Sequence, residues 1–415
     1  MGRLWPPYTA LESAPAPLIA AMTHGARIRL ADGRELIDGV ASWWTACHGY
    51  NHPAIISAMT DQLGRMPHIM FGGLSHDPAI QLADRLCAIL PGAPNRVFLS
   101  DSGSVAIEVA MKMAVQYWRN TGQAGRTKFV SFRGGYHGDT MAAMSVSDPE
   151  EGMHQMFAGY LPEQIVVPLP RDADSLASFG ETLRNRQDHI AAVLIEPLVQ
   201  AAGGMKIHDA ETLRAIASQC AALDIPLIAD EIATGFGRTG TLFACEQAGV
   251  APDIVCVGKA LTGGATGLAA TAANDRIVEA FQSNNPDHAL MHGPTYMANP
   301  LACAAANASI SLFETEPRLE QAAFIERHFR DALSPCRGLP GVVDLRIKGA
   351  MAAIQVTDLH DNDWLKRRFI EEGVWLRPFG DIIYAMPPFV IEPDDLAHLT
   401  RIMNKVVAEW SDRFG

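Results

Sequence analysis

Two strand ends carry the residues of greatest chemical potential in this chain. Ile225-Pro226-Leu227-Ile228-Ala229 is an apolar run that delivers Asp230 and Glu231, and Ile254-Val255-Cys256-Val257-Gly258 delivers Lys259. Open α/β sheets bind ligands beyond the carboxyl ends of their strands, so an acid and a lysine placed there face one crevice. The chain has only seven lysines, and Lys259 is the one presented by such a strand. An ordinary ion pair would account for the two residues taken alone. A lysine amine, with a reference pKa of ~10.4, is a nucleophile only where its site favours the neutral or imine form. Pyridoxal 5'-phosphate uses such a lysine as its imine partner and needs a carboxylate against its ring nitrogen, so that the pyridinium can absorb carbanion charge. Asp230 and Lys259 have the types and placement for those two roles.

A phosphate needs a cradle. Leu99-Ser100-Asp101-Ser102-Gly103-Ser104 leads from a strand into a helix that starts near Ser104. Small residues let the backbone approach, and free N–H groups with the helix dipole favour a dianion. A plain Ser/Asp helix cap is the alternative. Gly235-Phe236-Gly237-Arg238-Thr239-Gly240 matches the dinucleotide pattern G-x-G-x-x-G. That pattern should follow its strand at once and open a long helix. Here Asp230 to Thr234 intervene, so a glycine-rich loop near the active-site mouth is the better reading. His48 and His52 have helical zinc spacing, but Gly49, Asn51 and Pro53 forbid a regular helix, and no metal site is expected.

These residues require a scaffold. Arg96–Leu99, Lys128–Ser131, Ala191–Ile195, Ile225–Ala229 and Ile254–Val257 read as buried strands, with helices over 104–119 and 209–223 between them. Uniformly apolar strands separated by helices imply a mostly parallel sheet covered on both faces. The flanks differ: a hairpin turning at Asp32-Gly33, a long polar helix over roughly 315–333, short strands near 342–356 and a closing helix from about 393. The expected organisation is an N-terminal part of a small domain (1–55), a large α/β domain (56–311) and a C-terminal part of the small α+β domain (312–415). The 415 residues carry a formal net charge of −13, which speaks against a nucleic-acid partner. Seven dispersed cysteines without a C-x-x-C suggest reduced thiols. The Met1–Pro7 start lacks the apolar core of a signal peptide and no apolar run is long enough for a bilayer, so a cytoplasmic location is expected.

Asp230-Glu231-Ile232-Ala233-Thr234-Gly235-Phe236-Gly237-Arg238-Thr239-Gly240, followed by Gly258-Lys259-Ala260-Leu261-Thr262-Gly263-Gly264, resembles the signature of class-III aminotransferases of fold type I. The resemblance implies a seven-stranded, mostly parallel sheet, Lys259 as the Schiff-base lysine, Asp230 as the pyridinium partner, and a homodimer whose active sites use both subunits. A wider set is similar to one branch of that family: Ser42-Trp43-Trp44, His48-Gly49-Tyr50-Asn51-His52-Pro53, Met70-Phe71-Gly72-Gly73, Asp101–Ala106, Gly135–Thr140, Met291–Thr295 and Trp375–Gly380. Members of that branch convert 8-amino-7-oxononanoate to 7,8-diaminononanoate in biotin biosynthesis, usually with S-adenosylmethionine as amino donor.

Carried over residue by residue, the resemblance implies that Gly103 and Ser104 hold the phosphate, with Pro294 and Thr295 reaching it from the neighbouring subunit. Tyr136 packs on the pyridine ring and joins Lys259 and Asp230 in catalysis. Tyr8, Trp43, Asp139 and Gly293 surround the substrate, and Arg377 takes its carboxylate, to which a two-pronged guanidinium is matched. His137 and Glu231 are supporting residues. Pro7 stands where His is frequent, Tyr296 where Phe is usual, and Ala265-Thr266-Gly267 is smaller than the family pattern; these departures bear on the amino donor. The implied mechanism is ping-pong transamination. An ω-amino acid or diamine transaminase, an aminomutase on the same scaffold and a non-catalytic cofactor-binding protein are the alternatives.

Overall fold

The computed structural model describes residues 3–12, 15–150 and 153–415; Met1 and Gly2, where the leader reading begins, lie outside the described residues. A seven-stranded sheet organises the chain. Its spatial order is Arg96–Ser100, Ala269–Ala273, Ile254–Val257, Leu227–Asp230, Ile190–Ile195, Lys128–Phe132 and Ile165–Val167. Only Ala269–Ala273 runs against the others. Ile190–Ile195 is buried at every position, as a strand covered on both faces must be. Each fully buried Val, Leu or Ile side chain there contributes about 1.5–3 kcal/mol.

Two of these strands escape a sequence reading. Ile165–Val167 is only three residues long, and Ala269–Ala273 has the sequence AATAA, with little β-branched character. Small side chains serve a purpose in the second. They let the helix Gly103–Asn120 lie close on the sheet through Ala106 and Ala110, and Thr271 Oγ1 donates to the Ala106 carbonyl at 2.7 Å. That contact fixes the amino end of the helix at the edge of the site. The strand expected over 225–229 starts at Leu227, since Pro226 has no N–H for the ladder.

Both ends of the chain meet in a second sheet. The hairpin Arg27–Leu30 and Glu35–Asp38 is antiparallel, and Glu35–Asp38 pairs in parallel with Val374–Trp375. A third sheet holds Val342–Lys348, Met351–Val356 and Ile382–Ala385, and the helix Pro393–Phe414 buries Leu399, Met403, Val406 and Trp410. The polar helix expected from about 315 begins at Arg318, because Pro317 separates it from the buried helix Pro300–Thr315. Among the described residues no helix is long and apolar enough to cross a membrane.

Candidate active site

The carboxyl ends of the parallel strands open into a concave cavity lined by Trp44, Gly103, Ser104, Tyr136, Asp230 and Lys259, the kind of place where open α/β sheets bind ligands. Asp230 and Lys259 reach it from neighbouring strands, with Asp230 in register opposite Cys256. Asp230 is 3% exposed. Its Oδ1 accepts the Ile232 N–H at 3.1 Å, and its Oδ2 lies 2.8 Å from His137 Nδ1. A carboxylate only accepts, so His137 carries a proton on Nδ1 and donates it. Two donors thereby hold the acid in place where water is scarce.

Lys259 adopts φ +45°, an uncommon conformation for a residue with a side chain. Its Nζ stands 4.6 Å from the centroid of the Trp44 ring. Burial pushes the lysine pKa down against the opposing charges of Asp230, Glu196 and Asp139, which makes the neutral amine easier to reach. Glu196 follows the strand Ile190–Ile195 and accepts the N–H groups of Tyr136 and Ala201, each at 3.0 Å. Burial lifts its pKa to about 7, with His137 opposing and Asp230 adding.

The helix start closes another side. Gly103 and Ser104 line the cavity, and Ser102 Oγ caps the helix by accepting the Val105 N–H at 3.4 Å. Gly138, at φ +126°, touches this turn so closely that an added Cβ would sit 2.2 Å from Ser104 Oγ. Only glycine fits both the conformation and the space. Ser104 Oγ also accepts the Asp139 N–H at 3.1 Å.

At the mouth, Tyr136 donates its hydroxyl to Asp139 Oδ1 at 2.8 Å, and Tyr8 donates to Asp139 Oδ2. Burial raises the Tyr136 pKa, helped by Asp139, and lifts Tyr8 to about 12 for the same reasons. Both phenols therefore remain donors at neutral pH. Trp43, 43% exposed, lies edge-on to Tyr8 at 6.4 Å and beneath Arg377, whose Cζ is 5.1 Å from the Trp43 ring centroid. The parallel pair Glu35–Asp38 and Val374–Trp375 explains that meeting: both residues leave the carboxyl ends of adjacent strands. No carboxylate pairs with Arg377 among the described residues.

The segment delivering the tryptophans is unusual. Ala41, Ser42, Trp43 and Trp44 all have positive φ, from 46° to 75°, and form one left-handed turn. Each such residue costs about 1–2 kcal/mol, so the turn persists only because other contacts over-determine it.

A family model described as aminotransferase class-III matches residues 8–407. The chain belongs to the class-III aminotransferases. It is 45% identical over 412 residues to an adenosylmethionine-8-amino-7-oxononanoate aminotransferase of Mycobacterium leprae, covering 97% of this chain and 94% of that protein. A protein of the same name from Corynebacterium glutamicum is 44% identical over 409 residues, covering 97% and 96%. Among solved structures, the enzyme of that name from Methanocaldococcus jannaschii superposes with a TM-score of 0.93 at 31% identity, covering 98% of this chain and 97% of that one. An amine transaminase from an uncultivated Pseudomonas species, in a PLP-bound form, gives 0.91 at 31% identity, covering 100% and 99%.

Within this class-III chain, Gly103, Ser104, Tyr136, Asp230 and Lys259 share one cavity wall, and Tyr8, Trp43, Asp139 and Arg377 gather at the mouth. Gly293, Pro294 and Thr295 are not among the residues lining this chain's own cavity. They precede the helix Pro300–Thr315 in a loop whose Tyr296 packs on His68 at 4.5 Å. Glu196, Trp44 and Gly138 have no site role assigned from the sequence, although Trp44 and Gly138 stand within the motifs quoted above. The strand-end rule that singles out Asp230 also applies to Glu196. The Gly235–Gly240 segment needs correction: it is interior rather than at the mouth, with Phe236 and Arg238 each 1% exposed. Arg238 donates to the carbonyls of Pro387 at 2.7 Å and Trp44 at 3.2 Å. His48 is bonded to Ser309 and Arg318, and His52 caps the helix Pro53–Arg65; the described residues contain no group suited to a metal.

Proposed function

We propose that this chain catalyses pyridoxal-phosphate-dependent transamination of 8-amino-7-oxononanoate to 7,8-diaminononanoate, with S-adenosylmethionine as amino donor. The observation that carries the substrate class is Arg377, lying on Trp43 at the cavity mouth with no carboxylate paired to it among the described residues. A guanidinium so placed suits the carboxylate of a long keto acid whose reacting end lies deeper. The naming of relatives at 45% and 44% identity supports the same substrate.

The donor set fits the cofactor. Asp230, aligned by His137 and Ile232, offers a fixed carboxylate to a protonated ring nitrogen. The helix start at Gly103 and Ser104 offers N–H groups and a hydroxyl to a phosphate. Tyr136 supplies a flat face for the ring. When bound, pyridoxal phosphate supplies an aldehyde that condenses with amines and a ring that takes up electron density.

Lys259 Nζ would be the nucleophile that holds the cofactor's aldehyde and, when free, the base that takes a proton from the amine-bearing carbon. Burial, which disfavours its protonated form, suits both tasks. Asp230 would face the protonated ring nitrogen as its hydrogen-bond and charge partner. Arg377 and Trp43 fix the far end of the keto acid, and Tyr8 and Tyr136 orient Asp139 beside its amine. The second half-reaction reverses the proton movement at Lys259 in a ping-pong cycle. The active form in this reading is a cytoplasmic homodimer, in which Pro294 and Thr295 reach the neighbouring subunit's phosphate and Gly293 its substrate. Its small domain comprises residues 1–55 and 312–415, and its large domain 56–311.

The test is conversion of the purified enzyme to its pyridoxamine form by S-adenosylmethionine, lysine or alanine in parallel, followed by loss of cofactor absorbance. Conversion by S-adenosylmethionine and subsequent turnover of 8-amino-7-oxononanoate are expected. A response to alanine alone would sink the proposal.

A further inference from the structure

The left-handed turn Ala41–Trp44 is what brings Trp43 under Arg377 and Trp44 under Lys259, yet its sequence contains no glycine to make such a backbone easy. Something must hold it. Asp38 is the last residue of the strand Glu35–Asp38, fully buried, and three donors converge on its carboxylate. Oδ1 accepts the Val40 N–H at 2.8 Å; Oδ2 accepts the Ser42 N–H at 2.8 Å and the Tyr50 hydroxyl at 2.6 Å. Two of the three are backbone groups within the approach and first half of the turn. The other end is tied separately, by Arg238 to the Trp44 carbonyl.

The geometry points to Asp38 as a positioning residue for substrate recognition: its carboxylate locks the first half of the left-handed turn, which presents Trp43 to Arg377, while Arg238 holds the Trp44 end beneath Lys259. The assignment rests on the reading of Arg377 as the keto-acid carboxylate site. Asp38 touches neither cavity nor substrate and acts through the turn. An aspartate suits the position, because both oxygens accept and the two N–H groups need one each. Asparagine would turn an amide N–H₂ towards one of those N–H groups and leave it unbonded.

Asp38→Asn tests this with two readouts. Peptide-resolved hydrogen exchange of the apoprotein and holoenzyme should show exchange over residues 40–45 faster by about tenfold or more, with the Asp230 and Lys259 strands unchanged. The KM for 8-amino-7-oxononanoate should rise about tenfold while kcat stays within about threefold, because the loss falls on substrate binding. Adding Ser42→Gly, which removes the steric cost of positive φ at that residue, should restore KM to within about threefold of the parent enzyme. Wild-type exchange and KM in Asp38→Asn would overturn the assignment, as would a Ser42→Gly substitution that fails to restore KM. If the single variant does not accumulate, folding recovered by Ser42→Gly supports the proposal, and a double variant that also fails to fold overturns it. If the parent enzyme does not turn over this keto acid, the functional reading falls, and hydrogen exchange alone decides the role of Asp38.

Discussion

Gly138→Ala isolates how the helix start proposed to cradle the cofactor's phosphate is built. Residue 138 has φ +126° and lies against the helix start, where a new Cβ would stand 2.2 Å from Ser104 Oγ, 2.7 Å from its Cβ and 2.8 Å from its Cα. Two costs combine. Side-chain-bearing residues in sparsely populated backbone regions cost about 1–3 kcal/mol, and forcing a methyl into filled space typically costs another 1–3 kcal/mol. Rotating the serine cannot relieve the clash, because the Ser104 backbone is itself within 3 Å of the new Cβ. The helix start or the 135–139 loop has to move, and with it the Asp139 N–H bond to Ser104. The expected result is a loss of about 2–6 kcal/mol in apoprotein stability, with cofactor affinity weakened by about 30-fold or more. Calorimetry of the apoprotein and a pyridoxal phosphate titration read the two effects separately. Adding Ser104→Gly should recover part of the stability by removing Oγ and Cβ, while the backbone term remains. An apoprotein with unchanged melting and unchanged cofactor affinity would refute this account of the cradle.

Three further outcomes are expected. His137→Phe removes the Nδ1–H donor from Asp230 and should weaken cofactor binding by about 10- to 100-fold, as for a lost hydrogen bond to a charged group; unchanged affinity in a spectroscopic titration would contradict it. The Glu196 carboxyl, with its folded pKa lifted to about 7, keeps a proton in the fold that the unfolded chain has released. Apoprotein stability should therefore fall as pH rises from about 4.5 to 7, by on the order of 3 kcal/mol, and level off above that. Glu196→Gln should flatten that slope in unfolding titrations. Arg377→Lys keeps the charge but loses the paired donors and the flat stacking surface, so KM for the keto acid should rise about 10- to 100-fold with a smaller change in kcat; steady-state kinetics decide it.

Asp230, Lys259 and the Gly103-Ser104 turn are legible in the sequence because each sits where a buried apolar strand stops. The same logic gives the core strands. It fails for Ala269–Ala273, whose small residues answer to the helix lying on them, and for Ile165–Val167, which is too short to show a pattern. It also misplaces Gly235–Gly240, since a glycine-rich string does not reveal that Arg238 points inward to carbonyls from two distant segments.

The sequence by itself determined the local chemistry: which strand ends carry an acid, a lysine and a helix start able to face an anion. Tertiary structure alone decided how the site is closed. Trp43 and Arg377 come from opposite ends of the chain and meet only because Glu35–Asp38 pairs with Val374–Trp375. Ala41-Ser42-Trp43-Trp44 carries no local signal for a left-handed turn. Its conformation is held by the buried carboxylate of Asp38 and the guanidinium of Arg238, and such non-local contacts outweigh the intrinsic preference of the backbone.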